Sequence, residues 1–269
     1  MWQPLHDIRG RTFMSRMADA FRNKKAFIAY LMAGDPNLKV SAEYILAAQE
    51  AGADLIEIGI PFSDPIAEGP VIQQASVRAL HGGTNLNKIF EMVASLQDKI
   101  TVPLVFMTYL NPVFVYGYDR FFRTCREIGI CGIIIPDLPY ESQDEVLPSA
   151  SAHGIEIVTL VAPSSNERIS RIAKDAQGFI YLVSSMGVTG ERREIMSDIR
   201  GRTEALRAVT ELPIAVGFGI STPRQAAEYA QYADGVIVGS AIVRLIGAHG
   251  SHAHGAMKAY IAEMTAAIR

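Results

Sequence analysis

Short runs of β-branched and apolar residues recur along the chain, each giving way to a stretch where apolar residues return every three or four positions. The runs fall at 26–31, 54–60, 102–109, 132–136, 155–161, 179–184, 214–217 and 235–239. Helical periodicity follows at 41–51, 87–97, 120–128, 141–152, 167–174, 204–210 and 224–231. Strands alternating with helices imply parallel pairing through right-handed crossovers. Eight such units in 269 residues predict an α/β fold, a (β/α)8 barrel of the TIM type. Periodicity alone leaves an open doubly wound sheet as the alternative.

No low-complexity linker divides the chain, so residues 1–269 read as a single domain. Residues 11–21 predict an extra N-terminal helix able to plug one mouth of the barrel, and 252–268 a closing helix. Two connections are long. One runs from Pro61 to about Asn87 and holds an extra helix after the second strand, near 71–80. The other runs from Ser185 to about Arg202. Both follow strand C-terminal ends, where barrel chemistry sits.

Composition narrows the classes. Hydrophobic residues make up 49%, enough for a large buried core, and the net charge of -3 argues against nucleic acid or an anionic membrane as partner. Cys125 and Cys131 have no metal-ligand spacing and read as reduced thiols. The first residues lack the charged-then-apolar layout of a signal peptide, which makes a cytoplasmic location the default expectation.

The candidate chemistry begins at the second run. Alternation places Ile56, Ile58 and Ile60 under the helices and turns Leu55, Glu57 and Gly59 to the barrel interior. A carboxyl there is desolvated, its pKa rises, and it suits general acid/base work. A structural Glu paired to a buried cation is the competing reading, but no neighbouring strand offers one. The next loop, stiffened by two prolines and a glycine, carries Asp64 and Glu68, which are either solvated acids or partners of Glu57. Gly217 and Gly219 close the seventh strand, and Gly239 and Ser240 the eighth, just before an apolar helix. Such loops read either as plain turns or as a phosphate cradle of backbone N–H groups. Residues 185–193, glycine-punctuated and charged, read as a lid or as an ordinary loop. Tyr30, Tyr109 and Tyr181 fall on inward phases and, with Phe218, suit either core packing or a flat apolar pocket. The six histidines form no ligand set; His252 and His254 read as solvated.

The stretch 55–70, LIEIGIPFSDPIAEGP, resembles the signature of the tryptophan synthase alpha chain family. The likeness continues through Gly34–Pro36, Tyr109–Pro112, Pro136–Pro139, Gly187–Gly190, Gly217–Gly219 and Val238–Ser240, in family order. It implies retro-aldol cleavage of indole-3-glycerol phosphate to indole and glyceraldehyde 3-phosphate. Glu57 matches the family's principal acid/base. Glu68 stands where the family has an aspartate holding the indole N–H, one methylene further from the backbone. Tyr181 matches a substrate-contacting tyrosine near the acid, and Thr189 the lid threonine. Gly190, Gly219, Gly239 and Ser240 match the phosphate cradle. Tyr30, Met107, Tyr109, Ile134 and Phe218 match pocket walls. Ser185 and Met186 depart from the basic residue and serine common in the family.

The resemblance also implies a partner, a pyridoxal-phosphate-dependent beta chain in an α2β2 assembly. Asp64, Pro65 and the loop 111–116, with Asn111, match positions facing it. The pyridoxal phosphate belongs to that partner, and no cofactor or metal is expected in this chain. Two other readings compete. A phosphate-binding barrel of the same pathway, an indole-glycerol-phosphate synthase or a phosphoribosylanthranilate isomerase, needs a lysine or cysteine at strand ends, against the Glu57 motif. A regulatory subunit that mainly activates the beta chain would bind substrate without turning it over.

Overall fold

The structure, a computed structural model, describes residues 16–162, 168–184 and 192–269. Eight parallel strands close in sequence order into a barrel. They are β1 (Ala26–Met32), β2 (Leu55–Gly59), β3 (Leu104–Met107), β4 (Ile130–Ile134), β5 (Glu156–Val161), β6 (Gln177–Val183), β7 (Ile214–Gly217) and β8 (Gly235–Val238). The helices are α1 (Arg16–Asp19), α2 (Leu38–Glu50), α3 (Pro70–His81), α4 (Leu86–Ala94), α5 (Leu110–Tyr116) and α6 (Tyr118–Glu127). After them come α7 (Leu147–Ala152), α8 (Ile169–Lys174), α9 (Arg192–Arg207), α10 (Pro223–Ala230), α11 (Ser240–His249) and α12 (His254–Ile268). Among the described residues no helix is long and apolar enough to cross a membrane.

Both strand faces are covered, which is why the strands read as near-continuous apolar runs. Ile28, Tyr30, Leu55, Val105, Phe179, Tyr181, Ala215 and Ile237 fill the interior. Phe27, Ile56, Ile58, Phe106, Ile180 and Val216 alternate with them and pack under the helices. This matches the alternation expected for β2. At the N-terminal mouth Met17 of α1 sits against Gly132 and Gly178, and Phe21 stacks on Phe179 with centroids 5.5 Å apart. The short helix therefore stoppers the barrel, leaving the other mouth for chemistry.

Ion pairs on buried carboxylates tie the layers. Asp54, at the start of β2, accepts from Phe27 N at 2.8 Å, from Lys24 at 2.5 Å and from Arg269 at 2.9 Å, joining β1, β2 and the end of α12. Asp35 takes a two-pronged bond from Arg78 of α3 at 2.8 and 2.7 Å. That arginine also packs on Gly247 of α11.

Three expectations need correction. The connection read as a loop to Arg202 is helical from Arg192, and the helix read at 204–210 is the end of α9, which stops at Arg207. The stretch past residue 193 carries several charges and Gly201. Yet Arg200 pairs with Glu204 and Arg202 with Asp198 at helical spacing, and Arg202, buried, donates to the Val183 carbonyl at 3.1 Å. The loop at 111–116 is α5. Its cap comes from a distant loop, with Asp137 accepting from Leu110 N at 2.9 Å, and Pro112 lies in the first turn, where no intrahelical donor is needed. The helix read at 141–152 splits into a 3-10 segment, Tyr140–Glu145, and α7, because Pro148 is accepted only in an opening turn.

Candidate active site

Glu57 lies mid-strand on β2 with its side chain in the barrel, between register partners Tyr30 on β1 and Val105 on β3. It is 0% exposed, and neither carboxyl oxygen has a hydrogen-bond partner among the described residues. Burial alone raises its pKa from the usual 4.5 to about 8. Glu57 is therefore a neutral acid at pH 7, holding a proton it can give.

The loop from Pro61 to Gly69 brings a second carboxyl over the first. Three ties hold the loop. Ser76 of α3 accepts from Phe62 N at 2.9 Å, Tyr109 accepts from Ile66 N and Ala67 N at 3.1 and 3.0 Å, and Gln73 donates to the Glu68 carbonyl at 2.9 Å. Pro70 then opens α3 in a position that needs no amide donor. Glu68 has one buried carboxyl oxygen without a partner among the described residues, and burial lifts its pKa to about 7.

Tyrosine hydroxyls complete this end. Burial first, and the charges of Glu68 and Glu57 after it, raise Tyr30; burial and Glu57 raise Tyr181. Both phenols stay protonated, and the Tyr30 hydroxyl has no partner among the described residues. Glycines make room for them. A Cβ on Gly59 would stand 2.1 Å from the Tyr30 hydroxyl, and one on Gly217 2.5 Å from that of Tyr181. Both distances are closer than any side chain permits.

The opposite end of the cavity is built of backbone. Phe218 and Gly219 both adopt positive φ, 73° and 76°, turning the chain sharply after β7. Space opens beside Gly219, where an added Cβ would meet nothing within 4 Å. Gly239 precedes α11 without a side-chain cap, so the first N–H groups of that helix are left for another acceptor. Gly239, Ser240, Ala241 and, one turn on, Arg244 all face the cavity. N–H groups, the positive helix end and a guanidinium together favour an anion.

The enclosed volume is about 280 Å³. Of the residues singled out in the sequence, Glu57, Glu68, Tyr181, Tyr30, Met107, Phe218, Gly219, Gly239 and Ser240 line it. Tyr109 and Ile134 are not among its lining residues. Tyr109 stands behind the acid loop, and Ile134 is buried in the interior packing. Thr189 and Gly190 lie outside the described residues. Ile72, Ile220, Ser221, Ile237 and Arg244 also line the cavity and were not anticipated. Two had a signal. Ile237 has the inward phase of β8, and Arg244 follows Ser240 by four residues on one helix face. Among the described residues no group of three or more His, Cys, Asp or Glu could hold a metal, and His252 and His254 are exposed.

Outside the cavity, Asp64 is exposed and accepts from Ser63. Two residues further along the chain is Ile66, 79% exposed, and α5 bears Phe114 and Val115, 61% and 75% exposed, with Asn111 in its first turn. Pro65 lies between Asp64 and Ile66, half-buried.

A barrel with two desolvated carboxyls and an anion-seeking helix start lining one cavity is an acid–base enzyme for a small anionic molecule. Comparison with known proteins makes the class specific. The profile of the tryptophan synthase alpha chain matches residues 17–268. The alpha chain of Lacticaseibacillus casei is 46% identical over 255 residues, 95% of this chain and 96% of that one. That of Lactiplantibacillus plantarum is 48% identical over 88% of this chain and 90% of its own. The crystal structure of the alpha subunit from Legionella pneumophila superposes with a TM-score of 0.86 at 36% identity, covering 95% of this chain and 98% of that one. Tryptophan synthase from M. tuberculosis, in its aminoacrylate-bound form, gives a TM-score of 0.83 at 35% identity, over 95% and 100%. The chain belongs to the tryptophan synthase alpha chain family, indole-3-glycerol-phosphate lyases of tryptophan biosynthesis. The family carries no cofactor of its own, and its name implies a beta-subunit partner.

Proposed function

We propose that this cavity cleaves indole-3-glycerol phosphate to indole and glyceraldehyde 3-phosphate, with Glu57 as the proton shuttle. The observation that carries the reading is Glu57 itself, fully buried and without a hydrogen-bond partner among the described residues, with burial raising its pKa to about 8. The indole fits between Tyr30, Met107, Tyr181 and Phe218, and the phosphate at Gly219, Gly239 and Ser240, with Arg244 beside it and Gly190 and Thr189 on the lid. Glu57 gives its proton to indole C3, leaving a positive charge shared with the ring nitrogen. Glu68, ionised, accepts the N–H hydrogen bond and stabilises that charge. The Glu57 carboxylate then takes the proton of the glycerol C3′ hydroxyl. As the C3′–O bond becomes a carbonyl, the C3–C3′ electron pair returns to the ring. One proton enters at carbon and one leaves from oxygen, so a single carboxyl closes the cycle. Tyr181 supports the acid from across the barrel.

The exposed apolar group of Ile66, Phe114 and Val115, bordered by Asp64, Pro65 and Asn111, is the proposed face for the beta subunit. In this reading the assembly is a cytoplasmic α2β2 heterotetramer whose beta chains hold the pyridoxal phosphate, and residues 1–269 act as one barrel domain. The test is indole release from indole-3-glycerol phosphate by the purified chain, alone and with a beta subunit. Indole that forms faster with the partner supports the reading. No indole under either condition refutes it and leaves a substrate-binding activator of the beta chain.

A further inference from the structure

Tyr109 ends β3's approach to α5 and is 2% exposed. It does not line the cavity, yet it bears directly on what the cavity holds. Its ring lies against Phe62 with centroids 5.3 Å apart, and its hydroxyl oxygen accepts from the consecutive amides of Ile66 and Ala67. A phenol oxygen offers two lone pairs, and both are occupied by the backbone just before Glu68. The other ties, from Ser76 and Gln73, grip the loop at Phe62 and at the Glu68 carbonyl. Among the described residues, Tyr109 alone bonds the segment between them to the rest of the barrel. The Tyr109 phenol feels the Glu68 charge, so the two side chains lie close together. Glu68 is itself only half-buried on a loop whose Ile66 is 79% exposed, so its dryness depends on that backbone staying down.

We propose that Tyr109 is a positioning residue: its hydroxyl pins the Ile66 and Ala67 amides and thereby keeps the Glu68 carboxyl inside the cavity. The inference rests on the role given to Glu68 above. Without the hydroxyl, two amides lose their acceptor, the loop lifts, and water reaches Glu68. The titratable and charged groups around Glu68 are Tyr30 on β1, Glu57 on β2, Tyr109, Tyr181 on β6 and Arg244 on α11. Of these, among the described residues, Tyr109 alone hydrogen-bonds the loop backbone.

The experiment is Tyr109→Phe in the full chain, which keeps the ring against Phe62. Glutamate side-chain carboxyls are titrated by carbon-13 NMR, with Glu68→Gln to assign the signal, and indole release is measured beside it. The Glu68 titration, near 7 in the parent, is expected to fall by about one pH unit or more as water enters, with that of Glu57 unmoved. kcat is expected to fall roughly 10-fold with KM within about twofold, as for a misplaced group that acts in the transition state. If Tyr109→Phe does not fold, 3-fluorotyrosine at position 109 weakens the acceptor without removing an atom and should move the titration in the same direction by less. A Glu68 titration unchanged within about 0.3 pH unit in the folded variant overturns the proposal. Full indole release by Glu68→Gln would instead refute the role of Glu68 in catalysis, and the NMR titration would still decide whether Tyr109 holds it.

Discussion

Glu57→Gln keeps the shape of the side chain and removes its ionisation. In the folded chain the carboxyl titrates near 8, against the usual 4.5 expected once the chain unfolds and water surrounds it. That gap of roughly 3.5 pH units corresponds, at about 1.4 kcal/mol each, to on the order of 5 kcal/mol. The sign follows from proton counting. Between pH 4.5 and 8 the folded state keeps a proton that the unfolded state has lost, so the parent loses stability across this window as pH rises, and above it the full penalty stands. Glutamine has no such term. Denaturant unfolding of parent and variant, followed from pH 4 to 9, isolates Glu57, because all other titrating groups cancel in the difference. The variant should be near parity at pH 4 and gain several kcal/mol on the parent by pH 9. A difference flat within about 1 kcal/mol over that range would mean that Glu57 is hydrated or paired with a cation, and the argument for a desolvated acid would collapse.

Three further outcomes follow from the same geometry. The dependence of kcat/KM on pH should be bell-shaped, rising near 7 as Glu68 ionises and falling near 8 as Glu57 loses its proton; a profile flat from 6 to 9 would contradict both assignments. Glu68→Gln should cost less turnover than Glu57→Gln, since it weakens charge stabilisation but leaves the proton shuttle, and the reverse order of steady-state losses would invert the two roles. Gly217→Ala should drive its methyl into the Tyr181 hydroxyl, lowering the unfolding free energy from urea titration by about 1–3 kcal/mol and reducing kcat, whereas wild-type behaviour would show that Tyr181 moves aside freely.

The barrel was legible because covered strands and amphipathic helices leave different periods in the chain, and the phase of β2 alone put Glu57 inside. What the sequence hid was settled at a distance. The cap of α5 is Asp137, 27 residues away from Leu110, so nothing beside Asn111 announced a helix. The buried Arg202 and its carbonyl partner turn a charged stretch into α9. Tyr109 has an inward phase, but its hydroxyl is taken by two amides of the acid loop, a tether that pattern does not announce. Arg244 and Ser221 reach the pocket only because separate βα connections converge on one mouth, a juxtaposition that pattern along a single strand does not carry.

The central claim is that one buried carboxyl moves the proton that breaks the carbon–carbon bond. Its most direct test is indole release from indole-3-glycerol phosphate by the parent and by Glu57→Gln, alongside substrate binding by calorimetry. The account predicts parent-like binding with indole release lost in the variant. Continued cleavage by folded, substrate-bound Glu57→Gln would show that another group does the chemistry.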